Sequence, residues 1–392
     1  MKILQMTTYD VDHPDHGGKL RSYHIRKALR ECFTVDTLSF EWSDHDDTSK
    51  LAMWLDQRKG EQLGLNGFVT DWGICSYLEH CPDVFSRVCM RVREFAPDVL
   101  LIEQPFLWPL ADRFFVEGVV AGSTKVVYSS HNVEISMKRK IYQDAFSPDI
   151  AMRYTDYVDR IEKGVIQACV GVLAVSSLDA DYVHAQFPGK PVQVYINGHT
   201  RPAPTSADEK WRELFSVRET NWVFVGSWHP PNMNGLRDLL AVMPESIKNS
   251  SFRLWVLGSA GNGLKSMPGF REENYPWLRI TGTVASEDID SAILGSSGVV
   301  LPIWEGGGSN LKTAQALLSC KCVVGSEFSF RGFEHYAGEA GVFLGNTPSD
   351  VAKYLTSCMP QSYYPRSEAV ANLEWAAILK LLPSYIAEIL AA

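Results

Sequence analysis

The 392-residue sequence lacks several features that would assign it to a class at once. No stretch approaches about 18 uninterrupted apolar residues, so no membrane-spanning helix is expected. The opening run Met1-Lys2-Ile3-Leu4-Gln5-Met6 turns polar before the apolar core of a secretion signal could form, which favours a cytoplasmic location. The eight cysteines follow neither disulfide nor zinc spacing. Cys320-Lys321-Cys322 lies in an apolar strand-like run whose alternate residues share one face, and all eight are expected to be reduced thiols. A basic surface is also missing: the formal net charge is -9, so no nucleic-acid partner is expected, because such binders replace phosphate counterions with cations. The Gly-x-Gly-x-x-Gly dinucleotide fingerprint and the Gly-Lys-Ser/Thr spacing of a Walker A loop are both absent, which argues against a nicotinamide dehydrogenase and a P-loop NTPase.

What is present is an ordinary globular composition, 45% apolar and 21% charged. The length predicts two domains of roughly 150 to 200 residues each. Short apolar runs alternate with amphipathic stretches, the pattern of a parallel sheet covered by helices, so the expected fold class is α/β. Strands are predicted at 2–7, 34–40, 99–103, 125–129, 171–175 and 192–196, then at 222–225, 253–257, 299–303, 322–325 and 341–344. A helix over 20–30 places Leu20, Tyr23, His24, Lys27 and Ala28 at helical spacing, with Arg21 and Arg26 pointing elsewhere. The stretch 41–83, with Trp42, Trp54 and Trp72, is irregular and looks like an insertion outside the sheet. The Pro/Ser/Thr-rich stretch 197–206 is the predicted linker. Residues 367–390 read as helical, kinked or broken at Pro383. The expected domains are 1–199 and 200–366, followed by the helical stretch 367–392.

Open parallel sheets bind ligands beyond the carboxyl ends of their strands, so the loops there are the first candidates. Gly17 and Gly18, after strand 2–7, let a backbone approach a ligand ahead of a helix N-terminus; a tight turn is the plain alternative. His131, after strand 125–129, can bond a sugar hydroxyl or assist proton transfer, although a lone histidine is more often structural. The richest segment is Glu305-Gly306-Gly307-Gly308-Ser309-Asn310-Leu311-Lys312. Its glycines free the backbone to wrap a diphosphate, Ser309 is the expected N-cap, the helix start offers N–H donors, and Lys312 adds a full charge. The loop from Gly258 to Gly263 is a weaker candidate for the nucleotide side. Asp179-Ala180-Asp181 matches an Asp-x-Asp metal site only superficially, since it follows Ser176-Ser177 in a helix-capping context. The acidic loop Asp44-His45-Asp46-Asp47 reads as a solvated face. No metal site is expected.

Taken in order, Gly17-Gly18-Lys19-Leu20-Arg21-Ser22-Tyr23, Ser130-His131-Asn132-Val133-Glu134, Val175-Ser176-Ser177-Leu178-Asp179-Ala180, Ile196-Asn197-Gly198, Phe224-Val225-Gly226-Ser227-Trp228-His229-Pro230-Pro231-Asn232 and the segment ending Leu311-Lys312-Thr313-Ala314-Gln315-Ala316-Leu317 resemble the retaining GT-B glycosyltransferases of family four. The resemblance spans nearly the whole chain. It implies two Rossmann-like domains with parallel sheets facing across a cleft, the first binding the acceptor and the second the nucleotide-sugar, with a final helix, 367–392, that crosses back to the first. It further implies that Gly17 and Gly18 face the donor phosphates, that His131 approaches the transferred sugar, and that the helix carrying Lys312 holds the diphosphate. Gly226, Gly307, Gly308, Ser309, Asn310 and Leu311 would line the nucleotide site. No cofactor is implied; a UDP- or GDP-sugar is the donor, and the acceptor is a carbohydrate or a lipid-linked one in glycan or glycoconjugate biosynthesis. Peripheral association with the inner face of a membrane is a further expectation.

Two departures stand out. Gln315 replaces the family's ribose-binding glutamate, leaving an uncharged acceptor. The loop 226–232 lacks an arginine for the phosphates, which leaves His229 and Asn232 as substitutes; Glu305 is assigned only a donor-sugar contact. A degenerate relative that binds a sugar nucleotide or partner without turnover, and a nucleotide-sugar epimerase, are the competing readings.

Overall fold

The computed structural model describes the chain except residues 13, 15, 16, 46–51, 66, 307, 308 and 392, and the side chain of residue 249. It divides into two compact units: Met1–Ile196 with Leu379–Ala392, and Asn197–Ile378.

Unit 1 is a seven-stranded sheet of β1 (Lys2–Thr7), β2 (Thr34–Ser43), β3 (Met53–Asp56), β4 (Val99–Glu103), β5 (Lys125–Ser129), β6 (Gly171–Ala174) and β7 (Val192–Val194), in the order β3-β2-β1-β4-β5-β6-β7. Every described pairing is parallel. The central strands are apolar on both faces because helices cover both, as in Val99-Leu100-Leu101-Ile102. One face joins Leu4, Met6, Leu38, Phe40, Leu100 and Ile102 in a shared core. The strand order reverses between β1 and β4, where an open α/β sheet forms a crevice.

Unit 2 repeats the plan with β8 (Thr220–Val225), β9 (Phe252–Leu257), β10 (Leu278–Gly282), β11 (Gly298–Leu301), β12 (Cys322–Ser326) and β13 (Val342–Gly345), ordered β10-β9-β8-β11-β12-β13. Its core gathers Trp222, Phe224, Leu254, Val256, Val300 and Val324. The reversal here lies between β8 and β11.

Several expectations are corrected. The stretch 41–83 is no insertion: β2 continues to Ser43, and Phe40–Ser43 pair in register with Met53–Asp56 of β3. Helices Thr70–His80 and Pro82–Phe95 then lead to β4. The first helix starts at Gly17, so Gly17 and Gly18 form its first turn rather than a loop, and its buried face carries Arg21 and Arg26 with Ser22, Ile25 and Leu29. These cations are tolerated inside because folding supplies them with acceptors: Arg21 Nη1 donates to Tyr195 O at 2.6 Å and Arg26 Nη2 to Asp12 Oδ1 at 2.5 Å. Cys320 is at a left-handed turn (φ 56°) ahead of β12 rather than within a strand. Pro383 neither kinks nor breaks a helix; it is the second residue of Leu382–Ala391, where its missing N–H leaves no helical bond unmade. In the acidic loop, Asp46 and Asp47 lie outside the described residues, and Asp44 faces Arg58 at 3.5 Å on the surface.

Candidate active site

Each sheet places its candidate residues at the point where its strand order reverses. In unit 1, β4 ends on Glu103, a fully buried carboxylate closing an otherwise apolar strand. Its Oε1 accepts from Gln5 Nε2 at 2.7 Å, and its Oε2 lies 2.8 Å from His131 Nε2. Burial alone would raise the Glu103 pKa, but the hydrogen bonds from His131 and Gln5 win and lower it, so the group stays ionised. Burial lowers the His131 pKa, with the Arg21 charge adding to that and Glu103 opposing it. A neutral imidazole facing an ionised carboxylate donates through Nε2–H, which leaves Nδ1 as an acceptor. The polar chain continues behind them: Thr37 Oγ1 donates to Gln5 Oε1 at 3.5 Å, and Arg26 Nη1 to Thr37 Oγ1 at 3.3 Å.

The loop carrying His131 is held from several sides. Ser130 Oγ donates to Asn132 O at 2.8 Å, and Asp179 Oδ1 accepts from the Val133 N–H at 3.1 Å. Ser176 caps the helix Ser177–Gln186 by accepting from the Asp179 N–H, and its hydroxyl also bonds the Asp179 carboxylate. Asp179 is therefore a brace for the histidine loop. Glu162 accepts from the Glu134 and Ile135 N–H groups at 2.8 and 3.0 Å, satisfying the start of the helix Glu134–Ala145. Burial pushes Glu134 up to about 7, with Lys138 opposing, and Glu162 up to about 8. Arg21 is drawn down to about 10 by burial, against the pull of Glu103 and Asp179. Gln104, next to Glu103, adopts φ 66° and ψ 158°, a region where a non-glycine residue stores about 1–3 kcal/mol of strain.

In unit 2 the loops after β8 and β11 meet the same topological condition. Gly258 (φ +96°) lets its backbone approach Gly226; a Cβ there would lie 2.3 Å from Gly226 O. Gly261 and Gly263 are not loop residues but lie in the short helix Ala260–Lys265. Asn232 is buried, and its Nδ2 donates to Ser227 O at 2.8 Å, so one of its two amide N–H groups holds its own loop. His229 precedes the helix Pro230–Val242; desolvation and then the Lys312 charge lower its pKa, with Glu305 opposing. Glu305 Oε1 accepts from Asn234 Nδ2 at 2.8 Å.

Gly307 and Gly308 lie outside the described residues. Ser309 is not the N-cap: its Oγ accepts from the Asn197 N–H at 3.1 Å and its carbonyl from Asn197 Nδ2 at 3.3 Å. The N-cap of helix Leu311–Leu318 is Asn310, which makes no side-chain capping bond and instead donates from Nδ2 to Ser329 O at 3.4 Å. Thr313 Oγ1 donates to the same carbonyl at 2.5 Å, anchoring the helix. Lys312 projects from this uncapped first turn, and among the described residues no carboxylate pairs with it. Desolvation brings its pKa down to about 8. Gln315, three residues on and thus on the same helix face, is buried. An uncapped helix start beside an unpaired lysine is suited to an anion.

Glu103, Gln104 and Asn234 were not singled out from the sequence. The available signal for Glu103 was a charge terminating an apolar strand at the ligand edge of the sheet; Gln104 and Asn234 carry no comparable mark.

No protein-family model matches the chain. No curated protein matches it either. Solved structures do. Sucrose-phosphate synthase from Thermosynechococcus elongatus is similar with a TM-score of 0.72 at 12% identity, covering 100% of this chain and 99% of that one. Anabaena HepE in complex with UDP-glucose gives 0.63 at 16%, covering 100% and 99%. WaaG, a glycosyltransferase involved in lipopolysaccharide biosynthesis, gives 0.61 at 14%, covering 100% of both chains. Two parallel α/β sheets, each with candidate residues at its reversal, and likeness to these structures along the full length establish that the chain has the GT-B glycosyltransferase fold.

Proposed function

We propose that the chain is a glycosyltransferase that moves a sugar from a UDP- or GDP-sugar to a carbohydrate or lipid-linked acceptor, with retention and without a metal ion. Unit 2 is the donor side and unit 1 the acceptor side. The observation that carries this reading is the uncapped start of helix Leu311–Leu318 with Lys312 at the β8/β11 reversal. As the glycosidic C–O bond breaks, negative charge grows on the leaving diphosphate, and the Lys312 ammonium and first-turn N–H groups oppose it without reorganising. The acceptor oxygen forms the new C–O bond on the same face, and its proton passes to the leaving phosphate oxygen. His131, neutral and fixed by Glu103, offers Nδ1 to a sugar hydroxyl. The UDP-glucose bound to HepE, a protein of the same fold, supports the choice of donor class.

The test is titration calorimetry of the full chain with UDP, GDP and their glucose and mannose conjugates in EDTA, followed by a transfer assay. Binding in EDTA that weakens in Lys312→Ala is expected. Binding that appears only after manganese or magnesium is added would refute the metal-free site, and an unchanged affinity in the variant would remove the diphosphate from this helix. No helix among the described residues is long and apolar enough to cross a membrane.

A further inference from the structure

Unit 1 contains a concave site whose lining does not include His131. A cavity of about 420 Å³ is lined by Trp72, Arg153, Tyr154, Asp156, Tyr157 and Arg160, within the roughly 300–1,000 Å³ range of small-molecule sites. All but Trp72 lie on helix Pro148–Ala168, and the spacing from 153 to 160 puts them on one flank. The rings are set by one another: Trp72 stands 5.2 Å from Tyr154 and 5.1 Å from Tyr157, and its Nε1–H donates to Tyr142 OH at 3.1 Å. Arg160 lies 5.4 Å above the Tyr157 ring, a cation–π placement that orients its fork. Arg153 and Arg160 are exposed, and among the described residues neither makes an ion pair, although Asp156 lies between them on the helix.

Preset aromatic rings bind the apolar face of a pyranose with little loss of side-chain entropy. Guanidinium groups recognise a carboxylate or phosphate through paired N–H donors, and an aspartate accepts from hydroxyls. The cavity is also tied to the histidine loop. Glu134, Lys138 and Tyr142 recur at four-residue intervals along one helix face. Lys138 Nζ donates to Asp71 Oδ2 at 2.8 Å, next to Trp72, and Tyr142 accepts from Trp72 itself. Eight residues of helix separate Glu134 from Tyr142 by about 12 Å, a distance that a short oligosaccharide spans and a single sugar does not.

We infer that this cavity is a distal acceptor subsite for a sugar ring bearing a carboxylate or phosphate, so that the acceptor is an anionic oligosaccharide; this rests on unit 1 being the acceptor side. The test is calorimetry of the full chain with tetragalacturonate, phosphorylated maltotetraose and plain maltotetraose, in wild type and in the double variant Arg153→Gln/Arg160→Gln. The anionic probes should bind wild type better than plain maltotetraose and lose about tenfold or more in the double variant, the scale of two charge-assisted contacts, while UDP affinity stays unchanged. Trp72→Phe, which keeps a ring, should weaken them less than Trp72→Ala.

No binding of either anionic probe, or equal binding in the double variant, overturns the inference. Loss of UDP or of phosphatidylglycerol-vesicle binding in that variant, in place of saccharide binding, makes the cavity a nucleotide or membrane site and also overturns it. Anionic saccharide bound here in a chain that binds no nucleotide at Lys312 would leave the cavity standing and refute the transferase reading.

Discussion

His131 Nε2 and Glu103 Oε2 are 2.8 Å apart in a buried pair that fixes which imidazole nitrogen faces outward. Glu103→Gln keeps the shape of the side chain but can turn an amide NH₂ toward the ring and so favour the other tautomer. Turnover should fall at least about tenfold, toward the scale of lost acid–base or hydrogen-bond assistance, while UDP affinity stays constant. His131→Ala should act in the same sense. Steady-state kinetics beside calorimetry check this, and equal losses of turnover and nucleotide affinity would contradict the division between the two units.

Lys312→Ala should lower kcat by about a hundredfold, the scale of a lost preorganised charge stabiliser, with a smaller loss of nucleoside binding. Its thermal midpoint without ligand should not fall, because a lysine beside the positive end of a helix dipole is unfavourable until an anion arrives. Wild-type turnover from the purified variant would show that the departing charge is held elsewhere.

The depressed Lys312 pKa gives nucleotide binding a pH profile. With the free group near 8, and higher once an anion binds, affinity should be flat below pH 8 and fall above it by up to about tenfold per unit. The sign for stability is opposite. The unfolded chain holds this proton up to the ordinary 10.5, so between about 8 and 10.5 the unfolded state binds more protons and this group's contribution to stability rises with pH. Calorimetry from pH 6.5 to 9.5 on wild type and Lys312→Met reads the first effect; a fall of equal slope in the variant would assign it to another group.

Gly235→Ala tests how the loop after β11 is seated. A Cβ at this position of helix Pro230–Val242 would lie 1.7 Å from Pro302 O, a backbone atom that cannot swing away. The substitution should destabilise unit 2 by about 2–4 kcal/mol and weaken nucleotide binding together with it. An unchanged melting midpoint would mean that the helix and loop are not in contact.

The central strands were legible because burial on both faces favours short, mostly apolar runs, interrupted in the first only by Gln5: residues 2–7, 99–103 and 125–129 appear in the structure with the same limits as in the sequence. The edge strands β3 and β10 were not. Leu278-Arg279-Ile280-Thr281-Gly282 is partly exposed and mixed in character, so period alone does not mark it. Arg21 and Arg26 were read as pointing away from the face of Leu20, Tyr23 and Lys27, and nothing local shows that they are buried: the acceptor that admits Arg21, the Tyr195 carbonyl, is 174 residues distant. Lys312, His131 and the glycines beside them stood out by position after strands, whereas Ser309 was misread because serine suits an N-cap by type and nothing local shows that Asn197 claims its hydroxyl.

The division of the chain bears on its synthesis. Unit 1 requires Leu379–Ala392 as well as Met1–Ile196: Ile386 is buried, Tyr385 stands 6.3 Å from Tyr195, and Gly171 leaves the room that Ile389 and Tyr385 occupy. On the ribosome the first 196 residues therefore emerge with part of their core uncovered, while Asn197–Ile378 is continuous and has all its strands before translation ends. The later-made unit can finish folding first, while the earlier one keeps this part of its core open until residues 379–391 are made.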